Sequence, residues 1–384
     1  MGLFSSEQSY LGIDFDNNSV KVVELKNENG RPRLVTYGYI DRKIEREKID
    51  SSRADHSETA KVIKHVCRKA KTTTTKVITA LPAYSVFSSV LNLPVAAKKD
   101  LASAVKWEAK KVIPLPVEDM ILDWKVLQDF ADPNSTGNGL DNGNGENAQL
   151  PSGFNDLKKR NFLKIDSERK GVYTKVLLTA APKDLVKRYI GIFKAAGLNL
   201  LSLDTESFAL VRSLVGNDPS ALMIIDIGSV VTNISVVVNG IPILNRSLDI
   251  GGLTITQAIA NSLNITLERA EQFKYDIGIS PDKQGQGSIP QTIESTITPI
   301  ADELKYSLNL YKNQGQKPIE KIILTGGSSL LLNLPDYLAK MVNLKVYRGD
   351  PWARIIYPEE LKPVLDEIGS RFSVSIGLAM RNID

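Results

Sequence analysis

The stretch Tyr10-Leu-Gly-Ile-Asp14-Phe-Asp16-Asn-Asn-Ser19 is a short apolar segment that ends in an aspartate and a small polar turn. A run rich in β-branched residues follows it at 19–25, which predicts a β-hairpin. The stretch Leu222-Met-Ile-Ile-Asp226-Ile-Gly-Ser-Val-Val231 repeats this arrangement and leads into an apolar segment at 231–238. The repetition predicts two similar α/β halves, each with a hairpin that points at a shared cleft.

The two turns have the composition of a phosphate-binding site. Consecutive backbone N–H groups in a small polar turn can surround phosphate oxygens. Asp14 and Asp226 offer the oxygen ligands that Mg²⁺ or its water shell takes, and Lys21 can neutralise phosphate charge. One such hairpin is weak evidence, since any tight turn favours these residues. Two of them, one opening each half, favour a clamp on a phosphate chain.

A third element is Leu324-Thr-Gly326-Gly327-Ser-Ser329, which follows an apolar run. Two glycines after a strand allow a base or ribose to approach where a Cβ would clash, although alone they also suit an ordinary turn. In this order the three elements resemble the phosphate loops and adenosine loop of the actin/Hsp70/sugar-kinase superfold. The resemblance implies ATP and Mg²⁺ as ligands, with connecting helices at 204–209 and 377–379 behind the cleft.

Length and composition agree with a soluble protein of more than one domain. The 384 residues exceed what one hydrophobic core usually spans, and the net charge of +4 gives no case for nucleic acid. We find no apolar run of the ~20 residues needed to cross a bilayer and no signal peptide, so a cytoplasmic protein is expected. Cys67 falls on an apolar helical stripe, and the two histidines lack partners for a structural metal site.

A longer series of motifs resembles the PilM family of type IV pilus assembly proteins. No single motif is exclusive to that family, but the series covers nearly the whole chain outside an Asn/Gly-rich stretch at 132–153. The motifs lie at residues 14–25, 80–82, 86–87, 93–94, 108–116, 122–126, 251–254 and 268–274.

The resemblance implies an α/β fold of the actin/Hsp70 type, with duplicated ribonuclease H-like domains and an inserted small subdomain that replaces the usual actin one. The first half is expected to comprise residues 1–80, 183–210 and 355–384. The inserted subdomain would span 81–182, with a mobile loop at 132–153. The second half would comprise 211–250 and 315–354, and a helical subdomain 251–314.

Site residues follow from the same resemblance. Asp14 and Asp226 would manage Mg²⁺, while Glu271 and Lys274, otherwise a solvent-facing i,i+3 pair, would approach the ribose and base. The family usually has glycine two residues after the first aspartate, where this chain has Asp16, whose charge beside a phosphate costs on the order of a few kcal/mol if unpaired. The nucleotide set is Asn17, Asn18, Ser19, Lys21, Gly228, Ser229, Thr232, Gly251, Gly252, Glu271, Lys274, Gly326, Gly327 and Ser328.

The family resemblance implies a cytosolic scaffold of the pilus inner-membrane complex, peripheral to the membrane through its partner. That partner is the cytosolic N-terminal tail of PilN, and nucleotide state would be coupled to its binding. The tail would dock between the first subdomain and the inserted one, where Val86, Phe87 and Leu91 either line a groove or form strand core. Glu206 is the one candidate for positioning a water, so any ATPase activity would be slow.

Three alternatives share the fold. An FtsA-like division protein would need a C-terminal amphipathic membrane helix, and the sequence stops at 381–384, directly after the connecting helix. A sugar or acetate kinase would need a catalytic base in a matching context, which is not found. A filament-forming cytoskeletal actin, or another homo-oligomer, would be identified by polymerisation assays.

Overall fold

The computed structural model describes residues 8–16, 18–41, 56–94, 98–127, 173–279, 288–313 and 317–383. The Asn/Gly-rich stretch at 132–153 and Asn17 lie outside these ranges. No helix within the described ranges is both long and apolar enough to span a membrane.

The first half is built on a five-stranded sheet. Strands β1 (Ser9–Phe15), β2 (Ser19–Glu28) and β3 (Arg31–Asp41) are antiparallel, and β4 (Lys76–Leu81) and β8 (Asn199–Thr205) join in parallel. The order is β3-β2-β1-β4-β8. Alternate side chains along β1 and β2 point to opposite faces, so apolar residues on both faces require a cover on each side.

Helices supply both covers. Helices α1 (His56–Ala70) and α3 (Lys183–Ala196) pack over Leu11 and Ile13, and Cys67 is buried there. Helix α10 (Ser373–Met380) packs on the opposite face, against Val23 and Ile78, and all its residues are buried.

The second half repeats the plan. Its strands are β9 (Leu222–Ile227), β10 (Thr232–Val238), β11 (Ile241–Leu248), β12 (Lys321–Thr325) and β13 (Lys345–Arg348). They lie in the order β11-β10-β9-β12-β13, with the same sequence of antiparallel and parallel neighbours as in the first sheet. This duplication confirms the predicted fold class.

Five further helices belong to this part of the chain or follow it. The core between β9, β10 and β12 and the helices includes Ile225, Ile259, Ile297 and Leu338. The helices are α5 (Gly252–Leu263), α6 (Leu267–Ile277), α7 (Ser288–Lys312), α8 (Leu334–Val342) and α9 (Lys362–Ile368).

A small antiparallel sheet is inserted between β4 and α3. Strands β5 (Phe87–Pro94), β6 (Met120–Leu127) and β7 (Tyr173–Pro182) lie in the order β5-β7-β6, and α2 (Lys98–Val112) packs against them around a separate core. The insertion therefore has its own hydrophobic cluster, and the main sheet continues unbroken from β4 to β8.

The two connecting helices, α4 (Glu206–Leu210) and α10, meet in the middle of the molecule. A Cβ added at Gly377 would lie 1.8 Å from the carbonyl oxygen of Ala209, and one at Gly12 would lie 1.9 Å from that of Ser375. Such approaches are open only to glycine. They bring α10 directly onto β1 and α4, beneath the two hairpin loops.

Candidate nucleotide site

The first hairpin loop carries a buried ion pair. Lys21 Nζ lies 3.0 Å from Asp14 Oδ2, and their side chains are 13% and 16% exposed. Burial tends to lower the pKa of Lys21, but the negative charges of Asp14, Asp16 and Asp226 outweigh it and raise that pKa. Lys21 is therefore a fixed positive charge facing three carboxylates.

Asp16 closes the turn on itself. Its Oδ1 accepts hydrogen bonds from the backbone N–H groups of Asn18, at 2.6 Å, and Ser19, at 2.7 Å. Its own N–H donates to the Ser19 carbonyl oxygen over 3.0 Å. This is the side-chain-to-backbone bonding that makes aspartate favourable in turns.

The second hairpin loop lies directly across from the first. Asn18 Nδ2 donates to Ser229 Oγ over 2.9 Å. The carbonyl oxygens of Gly228 and Ser229 accept the N–H groups of Gly252 and Leu253 at 2.9 and 2.8 Å, which fixes the start of α5 against the loop. Thus both predicted phosphate loops reach the same point of the cleft.

Glycines and a buried threonine complete the second loop. A Cβ at Gly251 would lie 2.5 Å from the Ser229 carbonyl oxygen, so that position has no room for a side chain. Thr232 is buried and donates through Oγ1 to the Ile250 carbonyl oxygen over 2.6 Å. Thr232 therefore holds the second loop to the segment before α5, and its predicted place beside a phosphate stays a prediction.

Asp226 and the glycines after β12 are in contact. Gly326 has φ of +86°, and a Cβ there would lie 2.4 Å from Asp226 Oδ1. Burial raises the pKa of Asp226 to about 7, with help from the charge of Asp14 and partial opposition from Lys21. The carboxyl group thus sits where its negative charge is poorly compensated.

Glu206, the proposed water-positioning residue, begins α4 at the base of the cleft. Its Oε2 accepts the Ala83 N–H at 2.9 Å and the Asn233 Nδ2 at 3.0 Å. Burial and the nearby charge of Asp14 raise its pKa to about 8. Asp14, Asp16, Asp226 and Glu206 therefore form an excess of acidic groups that a cation would relieve.

Carboxylates alone do not form a metal cage here. Within the described ranges, no three His, Cys, Asp or Glu side chains are grouped closely enough to hold a metal ion. Mg²⁺ keeps several waters and usually shares phosphate oxygens, so one or two aspartates are enough for it beside a nucleotide.

The predicted ribose and base residues gather around Lys274. This side chain is 2% exposed and donates to Glu271 Oε2 at 2.8 Å, Thr256 Oγ1 at 3.1 Å and the Gly252 carbonyl oxygen at 3.2 Å. A Cβ at Gly252 would lie 2.3 Å from Ser328 Oγ, so the adenosine-type loop touches the same spot. Lys274 is therefore an interior residue, whereas Glu271, with its side chain 46% exposed, faces outward.

Four residues of this region lie in no sequence pattern that would predict them. Arg371 Nη2 pairs with Asp41 over 2.5 Å, and its guanidinium lies 4.7 Å from the centre of the Tyr39 ring. Tyr275 donates to the Gly327 carbonyl oxygen over 3.3 Å. Arg371 thus links the end of β3 to the neighbourhood of Gly327, whose added Cβ would lie 3.7 Å from Arg371 Cγ.

Comparison with known proteins identifies the family of the chain. A family model described as type IV pilus assembly protein PilM matches residues 12–139 and 161–383. The chain belongs to the PilM family. A solved structure titled PilM-PilN type IV pilus biogenesis complex superimposes with a TM-score of 0.75 at 24% identity, covering 98% of each chain.

More distant proteins share parts of the sequence or the fold. MreB5 of Spiroplasma citri bound to ADP gives a TM-score of 0.50 at 12% identity, covering 96% of this chain and 94% of that one. Cell division protein FtsA of Neisseria meningitidis serogroup B is 24% identical over 294 residues, or 71% of this chain. The match spans 64% of the length of the Neisseria protein.

The residues predicted to line a partner groove in this PilM-family chain belong mainly to packed cores. Leu91 is 4% exposed within the core of the inserted subdomain, and Phe87 packs against the same cluster. Val86 packs against the cluster beneath α1 and α3. Leu91 is therefore closed to a peptide in this structure.

A cleft of about 500 Å³ lies nearby, at the starts of α1 and α3. Lys183, the first residue of α3, donates to the Glu118 carbonyl oxygen over 2.5 Å, which ties this region to the inserted subdomain. Arg188 Nε is buried there without a hydrogen-bond partner among the described residues. The cleft is lined by His56, Asp184, Leu185, Lys187 and Arg188.

Proposed function

We propose that this chain is an ATP-binding scaffold of a type IV pilus assembly complex that binds the cytosolic N-terminal tail of a PilN-type membrane protein. The observation that carries the proposal is the 2.9 Å hydrogen bond between Asn18 and Ser229, which sets two phosphate-type loops face to face. Family membership and the PilM–PilN title of a structural relative support the pilus role.

The residues present fit ATP with Mg²⁺. Asp14 and Asp226 would hold the metal's water shell, and the pKa of Asp226, which burial and the charge of Asp14 raise, supports a site that favours additional positive charge. Lys21, Ser19, Gly228 and Ser229 would face the phosphates. The metal supplies charge neutralisation when bound.

The base and ribose would lie toward Lys274. Glu271, Lys274, Gly326, Gly327 and Ser328 surround that end of the cleft, where the backbone at Gly252 and Gly326 lies so close to Ser328 and Asp226 that neither position has room for a side chain. The solved relative MreB5 is titled as bound to ADP, which supports a nucleotide in this fold.

Hydrolysis is proposed to be slow. A general base must be ionised to accept a proton, and a pKa of about 8 leaves Glu206 largely protonated near neutral pH. We therefore propose that ATP acts as a conformational ligand that changes the relation of the two halves.

The turn between β4 and β5 is the proposed route from the nucleotide to the partner. Glu206 holds this turn through the Ala83 N–H. The residue after Ala83 is Tyr84, which is 63% exposed and lies close enough to Glu206 and Arg188 for the charges of both to act on it. Since Arg188 lines the cleft on α3, the tail is proposed to dock there, close to the junctions at residues 81 and 182 that bound the proposed inserted subdomain.

Calorimetry tests the proposal directly. Purified protein is titrated with ATP in the presence of Mg²⁺, with a synthetic PilN-type N-terminal peptide, and with each after saturation by the other. We expect both to bind and each to change the affinity of the other by the same factor. The variant Arg188→Glu should weaken peptide binding, whereas Lys194→Glu, on an exposed position of α3, should not.

An FtsA-like polymerising role is the second candidate, because the sequence match to FtsA covers 71% of the chain. Sedimentation with Mg²⁺ and ATP separates the two. Filaments without peptide binding would favour that role, and peptide binding without filaments would favour the pilus scaffold.

A further inference from the structure

The backbone donors of the first loop are already occupied by a carboxylate. Asn18 N and Ser19 N donate to Asp16 Oδ1 at 2.6 and 2.7 Å, and Ser19 Oγ lies 3.3 Å from the same oxygen. Successive N–H groups of this kind are what a loop uses to hold an anion. Asp16 therefore places its own negative charge on the donors that a phosphate would need.

The second loop shows the same frame without such a side chain. Asp16 N donates to the Ser19 carbonyl oxygen, and Gly228 N donates to that of Val231, both over 3.0 Å. Asp16 and Gly228 each stand two residues after the strand aspartate. The two loops are closed by the same backbone bond, and only the first has an internal anion.

The carboxylate of Asp16 lies among the other charged groups of the cleft. It faces Lys21 together with Asp14 and Asp226, since all three act on that ammonium. The side chain of Asn18, whose N–H it holds, is the one that bridges to Ser229. Release of Asp16 from the Asn18 N–H would thus free a donor at the meeting point of the two loops.

We propose that Asp16 is a resident competitor of the nucleotide phosphate. Its carboxylate keeps the first loop in shape when no nucleotide is bound, and it must leave the N–H groups of Asn18 and Ser19 before a phosphate oxygen takes them. This inference rests on the proposed nucleotide-binding function and adds to it a limit on affinity. ATP and other phosphorylated nucleotides therefore bind more weakly than they would to the same loop without the Asp16 carboxylate. Adenosine has no phosphate, so its affinity does not depend on Asp16.

Asp16→Asn is the decisive variant, because its amide oxygen can still accept both N–H groups without carrying a charge. We would measure by calorimetry the dissociation constants of ATP with Mg²⁺, ATP with a chelator, and adenosine. The variant should bind ATP with Mg²⁺ at least about tenfold more tightly, as expected for removal of a like charge close to phosphate. Adenosine affinity should stay the same.

Two further variants complete the experiment. Asp16→Gly should also bind ATP more tightly, and Asp336→Asn, an exposed position on α8 that changes net charge equally, should behave as the wild type. Unchanged or weaker ATP binding by Asp16→Asn would overturn the inference. A weakening that appears only with Mg²⁺ would instead make Asp16 part of the metal's shell, and would also overturn it.

Failure of the proposed function gives a different result. In that case neither the wild type nor any variant binds ATP, although each unfolds cooperatively on heating, and the competitor role falls with it. Wild-type binding that Asp16→Asn leaves unchanged rejects the competitor role alone.

Discussion

At the scale of the residue, the described part of the cleft holds more carboxyl groups than cations. Glu206 and Asp226 have pKa values raised to about 8 and about 7 by burial and by the charge of Asp14. Because the folded protein holds these protons more tightly than the unfolded chain does, its free energy of unfolding falls as pH rises and the two groups ionise. The same groups that favour a cation therefore make the nucleotide-free protein sensitive to pH.

The variant Glu206→Gln should remove much of this sensitivity. Because the pKa of about 8 in the folded protein exceeds the ordinary glutamate value of 4.5, the stabilising contribution of Glu206 is full below pH 4.5 and falls as pH rises toward 8. Glutamine imitates the protonated acid and can still accept the Ala83 and Asn233 hydrogen bonds. We would measure the free energy of unfolding by chemical denaturation from pH 5 to pH 9, without nucleotide. It should fall less for the variant than for the wild type, by on the order of one to a few kcal/mol.

Asp226 contributes to the pH dependence with the same sign, so the variant profile should be flatter without being level. Parallel profiles for wild type and variant would show that Glu206 is ionised in the folded protein.

The strand aspartates and the loop residues were predictable from the sequence because they are local in the chain. Arg371, whose partner Asp41 is 330 positions away, was not predictable, nor was the bond from Asn18 to Ser229, which spans 211 positions. Asp16 departs from the family pattern in the sequence itself, but the two N–H groups that it accepts depend on the path of the backbone. Whether the predicted residues bind nucleotide stays a prediction.

At the scale of the element, the crossing of α4 and α10 depends on one missing side chain. Gly377 lets the α10 backbone meet that of Ala209, where an added Cβ would be 1.8 Å from the carbonyl oxygen. Backbone cannot move aside as a flexible side chain can. The two connecting helices would have to separate.

The substitution Gly377→Ala should therefore destabilise the protein by several kcal/mol, despite the higher helix propensity of alanine. Gly191→Ala on α3 is the matched control, since its nearest heavy atom would be His56 Nδ1 at 3.9 Å. That control should be neutral or stabilising by up to about 1 kcal/mol. Chemical denaturation measures both, and equal effects would contradict the close crossing.

The two hairpins that open the halves were predictable from their local pattern. An apolar segment, a small polar turn and a second apolar segment predict two antiparallel neighbours, and β1 with β2 and β9 with β10 form these pairs. Strands β8 and β13 were not predicted. Each pairs in parallel with a single neighbour at a sheet edge, where the alternation of apolar and polar residues is weak.

At the scale of the whole molecule, a buried charge cluster connects the chain's distant segments. Asp204 Oδ2 lies 2.5 Å from Arg212 Nη2 and 3.1 Å from Arg381 Nη1, and its side chain is 7% exposed. Arg212 also donates to the Gly377 carbonyl oxygen over 2.6 Å. Burial alone would raise the pKa of Asp204, but the two guanidinium groups lower it.

Asp204→Ala should be strongly destabilising, by about 3–5 kcal/mol, because it leaves two largely buried arginines without this partner. Asp184→Ala, which removes a carboxylate 96% exposed and 3.4 Å from Lys187, should leave the midpoint unchanged. Thermal unfolding followed by circular dichroism compares them. Similar midpoints for the two variants would show that the cluster contributes nothing.

The duplicated plan of the molecule was predictable from the repeated hairpin, since each half begins with the same pattern. The separate hydrophobic core of the inserted subdomain was less predictable. The sequence indicates only that this region does not follow the pattern repeated in the two halves. Its strand order β5-β7-β6 depends on a return strand that follows a long stretch outside the described residues.

The burial of α10 sets an order of folding during translation. All five strands of the second half lie within residues 222–348, so its sheet can close before the last part of the chain leaves the ribosome. The first half lacks the α10 part of its cover over Val23 and Ile78 until residues 373–380 have been made. The part of the protein that is synthesised first therefore finishes folding last, and its exposed sheet face is the surface that chaperones would need to protect.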